Sequence, residues 1–71
     1  MDILILKTNI NSGYEFNSVR TGLYGSFNIR ECTIDLDDKD KVVRVIGEDL
    51  NMDSVNSQIG MMGYNSEELC E

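Results

Sequence analysis

Residues 32–37 read Cys-Thr-Ile-Asp-Leu-Asp, and this alternation of apolar and polar side chains dictates a β-strand with one dry and one wet face. Cys32, Ile34 and Leu36 point one way, and Thr33, Asp35 and Asp37 the other. The charged run Asp37–Lys41 supplies a turn, and Lys41–Gly47 (KVVRVIG) supplies a partner strand, so the centre of the chain is predicted to be a hairpin.

The flanking segments carry the complementary pattern. Ile3–Leu6 is a short run rich in β-formers, predicted as a buried strand. From Glu15 onward, Phe16, Val19 and Leu23 recur at helical spacing; Gly22 and Gly25 weaken this helix, and Gly25-Ser26 ends it. Asn51 is the expected N-cap of a second helix, with Val55, Ile59 and Met62 as its apolar stripe and Gly63 as its stop. The remaining Tyr64–Leu69 reads as a last strand. The order β-α-β-β-α-β is the ferredoxin-like arrangement of the α+β class: a four-stranded antiparallel sheet, order 4-1-3-2, with two helices on one face. Seventy-one residues make a single domain, 1–71. A chain of this size buries about 60% of its unfolded surface, and its stability is on the order of 5 kcal/mol.

Composition excludes several functions. Thirteen acids against six bases leave a net charge of −7, and the bases are scattered from Lys7 to Arg44. Neither nucleic acid nor an anionic membrane is an expected partner, because phosphate contacts need clustered Lys and Arg. An RNA-binding sheet also needs aromatic side chains that these strands lack. The N-terminus has an acid at position 2 and only four consecutive apolar residues, too few for a signal peptide or a membrane span. Two cysteines are too few for a disulfide framework, and Cys32 and Cys70 fall at opposite sheet edges, so a cytoplasmic protein with reduced thiols is expected. With no histidine, no Ser or Cys beside a base and no phosphate-cradling loop, the chain is expected to be non-enzymatic and to need no cofactor.

Weaker candidates have plain structural readings. Asp35, Asp37, Asp38 and Asp40 form an acidic cluster, but an EF-hand loop starting at Asp35 would need Gly and Glu where Asp40 and Ile46 stand. Cys32 alternates inward as a core thiol, and the acidic neighbours of Cys70 argue against a reactive thiolate. Met62 lies on the core stripe, with Met52 and Met61 out of register for a shared thioether site.

Three stretches together resemble a known family: KTNINSG before the first helix, IRECTIDLDDKDKVVRVIGE across the hairpin, and VNSQIGMMGYNSE at the second helix and last strand. In their order, in the Ile34-Asp35-Leu36 strand and in the Met-Gly-Tyr triplet, the chain resembles a heavy-metal-associated domain, the module of copper chaperones and P-type ATPase N-termini. The similarity runs from Lys7 to Glu67. Such domains hold soft ions through Cys-x-x-Cys in the first loop, since two thiolates at that spacing bind Cu(I) almost linearly. The resemblance puts Ser12 and Glu15 at those two positions, Ile10 at that of the loop's usual Met and Tyr64 at that of the aromatic near the site. A hydroxyl and one carboxylate are poor ligands for a soft cation, so no metal is expected there.

Ser12-x-x-Glu15 instead has the form of a capping box, in which the Ser hydroxyl accepts from the Glu15 N–H and the Glu carboxylate returns to the Ser12 N–H. Alternation further places Ile3, Ile5, Val42 and Ile46 on the sheet face away from the helices, a patch of the kind that marks interfaces, with Arg44 between to pair with a partner's acid. The expected function is therefore a binding or interaction module without the thiolate site. It would meet a protein partner or a second copy through that face, or a partner through the first-loop surface Asn11, Ser12, Gly13 and Tyr14. The alternative is metal-ion binding or delivery through other ligands or jointly with a partner.

Overall fold

The computed structural model describes residues 1–69. Its elements are β1 (Asp2–Thr8), α1 (Gly13–Ser26), β2 (Asn28–Asp35), β3 (Val42–Glu48), α2 (Met52–Met61) and β4 (Ser66–Glu68). The sheet runs β2-β3-β1-β4 with every neighbouring pair antiparallel, the expected order. Cys70 and its expected distance from Cys32 lie outside the described residues.

The core forms where the two central strands meet the two helices. Leu4 and Leu6 of β1 stand opposite Val45 and Val43 of β3. Above them lie Val19 and Leu23 of α1 and Val55 and Ile59 of α2, joined by Ile10 and Cys32. Leu6, Val43 and Val45 are completely buried, as are the four helix residues, and no polar or charged side chain is buried among the described residues. Each such aliphatic contributes roughly 1.5–3 kcal/mol relative to exposure, enough to fix which helix faces turn inward.

Side-chain and backbone caps set the helix ends. Asn51 Oδ1 accepts from Ser54 N–H at 3.0 Å. At the other end of α2, Gly63 takes φ +93, its N–H donates to Gly60 O at 3.0 Å, and Tyr64 N–H donates to Ile59 O at 3.2 Å. This is a Schellman motif, and it gives the Met-Gly-Tyr triplet a physical reason: Gly63 reverses the chain and Tyr64 folds back on the core. Gly22 lets the helices approach, because a Cβ there would lie 2.7 Å from Met62 Sδ.

Several boundaries differ from expectation. The first helix begins at Gly13, directly behind the expected cap Ser12, although its apolar stripe starts only at Phe16. β2 starts four residues before Cys32: its register shifts between Ile29 and Glu31, and this bulge hides the upstream strand from an alternation pattern. Leu36 leaves the strand and enters the turn, half-buried, with its carbonyl accepting from Lys41 Nζ at 2.8 Å. The last strand is only Ser66–Glu68, because Asn65 N–H and its carbonyl bond to Asn9 of the first loop, not to a strand.

Gly47 faces the bulge, where a Cβ would run into the Asn28 carbonyl and the Ile29 Cα. Both obstacles are backbone held by the sheet, so neither can yield cheaply. Gly47→Ala is expected to cost about 2 kcal/mol or more in urea unfolding. Gly60→Ala, in a helix with open space around it, should instead raise stability by roughly 0.5–1 kcal/mol.

Candidate functional site

The first loop is pinned on both sides before it reaches α1. Thr8 N–H donates to Asp40 O at 2.9 Å, and its hydroxyl donates to Lys41 O at 2.8 Å, tying the loop to the β2–β3 turn. Asn9 exchanges bonds with Asn65, its N–H to Asn65 O at 3.3 Å and its Oδ1 accepting from Asn65 N–H at 2.9 Å. Ile10 then drops fully into the core. Its apolar side chain anchors the loop from below, a role the sequence comparison with a loop methionine did not reveal.

Asn11 to Tyr14 project beyond these anchors. Ser12 is extended (φ −146, ψ 160), and its Oγ accepts from Glu15 N–H at 3.1 Å. The Glu15 carboxylate turns back as well, but it accepts from Asn11 N–H at 3.0 Å, one residue before the expected Ser12. The expected capping box is therefore corrected: the Ser half stands and the Glu half is displaced by one residue. The negative Glu15 still sits over the positive helix end. Both side chains that the resemblance puts at the ligand positions thus satisfy backbone donors. The donor set is a hydroxyl and a single carboxylate, without a thiolate, and it does not fit a soft ion. Among the described residues, no three His, Cys, Asp or Glu side chains converge as metal ligands.

Two tyrosines flank this turn. Tyr14 is 85% exposed, whereas Tyr64 is half-buried. Partial desolvation raises the Tyr64 pKa from its usual 10, and the neighbouring Glu15 carboxylate adds to the effect by its charge and as a hydrogen-bond acceptor. The acidic turn is likewise self-occupied: Asp35 Oδ1 accepts from Asp37 N–H at 3.1 Å and Asp38 Oδ1 from Asp40 N–H at 2.8 Å. Burial pushes the Cys32 thiol up to about 11, so it stays protonated and inert near neutrality.

A second surface lies on the uncovered side of the sheet. Ile3 stands opposite Ile46, and Ile5 opposite Arg44; across β3, Glu31, Thr33 and Asp35 oppose Ile46, Arg44 and Val42. Residues directly opposite share a face, and their strand neighbours Leu4, Leu6, Val43 and Val45 pack on the helices. Ile3 is 53% exposed, and Ile5, Val42 and Ile46 are half-buried. Leu69, whose N–H donates to Ile5 O at 2.9 Å, borders the same hollow as Ile5, Val42 and Arg44. The sequence reading put Leu69 at the end of the last strand and did not assign it to this face, whereas it follows β4 and stays bonded to β1. Lys7, at the end of this face, pairs with Glu67 at 3.0 Å and is held above its usual pKa by that contact.

The chain is similar to the yeast copper transporter domain Ccc2A, whose solution structure was determined in the apo and Cu(I)-loaded states. The TM-score is 0.82 over 96% of this chain and 94% of that one, at 21% identity. The two share the ferredoxin-like β-α-β-β-α-β fold. No protein-family model matches the sequence. No curated protein matches it either. Among the described residues, no helix is long and apolar enough to cross a membrane.

Two measurements test the loop. Ser12→Ala is expected to lower stability by about 1 kcal/mol in urea, through loss of the acceptor for Glu15 N–H. Tyr64 titrates higher in the folded state, so its contribution is complete below pH 10 and is lost as pH rises through the raised value. Tyr64→Phe should therefore lose less stability above pH 10 than the parent, read as the shift in urea midpoint.

Proposed function

We propose that this chain is a non-enzymatic protein-interaction module on a heavy-metal-associated-like scaffold, its first loop given over to holding the start of α1. The observation that carries this reading is the double use of Ser12 and Glu15, whose oxygens accept from Glu15 and Asn11 N–H groups. A soft cation such as the Cu(I) carried by the yeast domain would have to displace those bonds and would gain no thiolate in return. What remains on the scaffold for recognition is the open sheet face with Ile3, Ile5, Val42 and Ile46, beside the exposed loop residues Asn11 to Tyr14.

An anaerobic competition titration against a chromogenic chelator tests the proposal, with Cu(I) and Zn(II) added to the parent and to Ser12→Cys/Glu15→Cys. Competition by the double variant alone is the expected outcome: the backbone still frames a metal loop and only the donors are missing. If the parent competes under reducing conditions, metal binding or delivery through other ligands takes the place of this reading.

A further inference from the structure

The charge around the open sheet face points to the kind of partner that covers it. The apolar strip Ile3, Ile5, Val42, Ile46 and Leu69 runs over β1 and β3 and is bordered on the β2 side by Glu31 and Asp35. Asp38 lines the same hollow. Among the described residues none of these three acids makes an ion pair, whereas the acid on the β4 side, Glu67, is already held by Lys7. The strip thus has one open acidic border, with Glu31 and Asp35 separated by about 13 Å along the strand.

A second copy fits this pattern badly. Two such faces brought together would stack two apolar strips, but each chain carries −7 overall, and Arg44, which makes no ion pair among the described residues, lies at the centre of the face, where a two-fold contact brings it toward its own image. An anionic membrane or nucleic acid is repelled for the same reason. Resting on the interaction reading above, we infer that this face binds a cationic amphipathic segment of another protein: an aliphatic ridge seats on the strip, and Lys or Arg along one flank meets Glu31 and Asp35. Arg44 then faces an acid or a carbonyl on the ligand ridge. Burying the strip supplies the affinity, and the acidic border sets orientation and approach.

The test uses two synthetic amphipathic helical peptides, one of Leu and Lys and one of Leu and Glu, titrated into the 15N-labelled full chain. The Leu/Lys peptide should shift the amides of Ile3, Ile5, Thr33, Arg44 and Ile46, and the Leu/Glu peptide should not. Glu31→Lys/Asp35→Lys should weaken the Leu/Lys peptide on the order of tenfold and admit the Leu/Glu peptide. Asp53→Lys/Glu68→Lys, with the same change in net charge away from this face, should do neither. Amide dispersion in each variant verifies folding. Shifts centred on α1 or on the Asp37–Asp40 turn, equal weakening by the control pair, or dimerisation of the parent in sedimentation would each overturn the assignment. The two readings fail separately. A parent that takes up Cu(I) removes the proposed function, whereas a metal-free parent with no peptide shifts on the sheet removes only this face.

Discussion

Everything in this small domain hangs on the seam where β1 and β3 lie side by side under two helices. Leu6, Val43 and Val45 supply the floor, and Val19, Leu23, Val55 and Ile59 the ceiling. These side chains are all aliphatic and all sealed from water, so the layers are joined mainly by shape and apolar area. Among the described residues no polar side chain is buried, and the half-buried bond from the Ser66 hydroxyl to Asn56 Oδ1 at 2.6 Å ties β4 to α2 at the margin. Specificity must then come from the periphery. Asn51 caps one helix and Ser12 the other, Gly63 turns the chain back after α2, and Gly47 lets β2 bulge against β3.

The first loop shows how such peripheral bonds trade against chemistry. Thr8 and Asn9 tie it to two other loops, Ile10 anchors it in the core, and Ser12 and Glu15 close over the first turn of α1. A loop that must release a metal needs donors left idle until the ion arrives. Here Ser12 Oγ and Glu15 Oε1 each accept from a backbone amide at the start of α1.

Much of this was legible in the residues. The Cys32–Asp37 alternation announced the hairpin, the stripes at Val19/Leu23 and Val55/Ile59 announced the helices, and their sequence gave the strand order. Interactions that depend on exact backbone paths were hidden. The bulge after Ile29 shifts the inward phase, so Asn28–Glu31 carried no period-two signal. Glu15 reaches Asn11 in place of Ser12, a one-residue difference in partner that residue spacing does not encode. The last strand was overestimated because Tyr64 and Asn65 look like strand residues but are consumed by the helix stop and the first loop. For the sites, the open-face residues followed directly from alternation, while Leu69 needed the three-dimensional edge of β4 to be seen.

Cys32 offers one more consequence. It sits in an edge strand with its side chain turned under the helices, at 5% exposure, and its thiol is held in the protonated form. A modifying reagent can meet it only when β2 lifts away from the layer above or the whole domain opens. The rate at which this sulfur is labelled is therefore a clock for breathing of that edge, the strand whose outer border carries Glu31 and Asp35. Occupancy of the uncovered side of the sheet would be heard on the covered side, as a slowing of that clock.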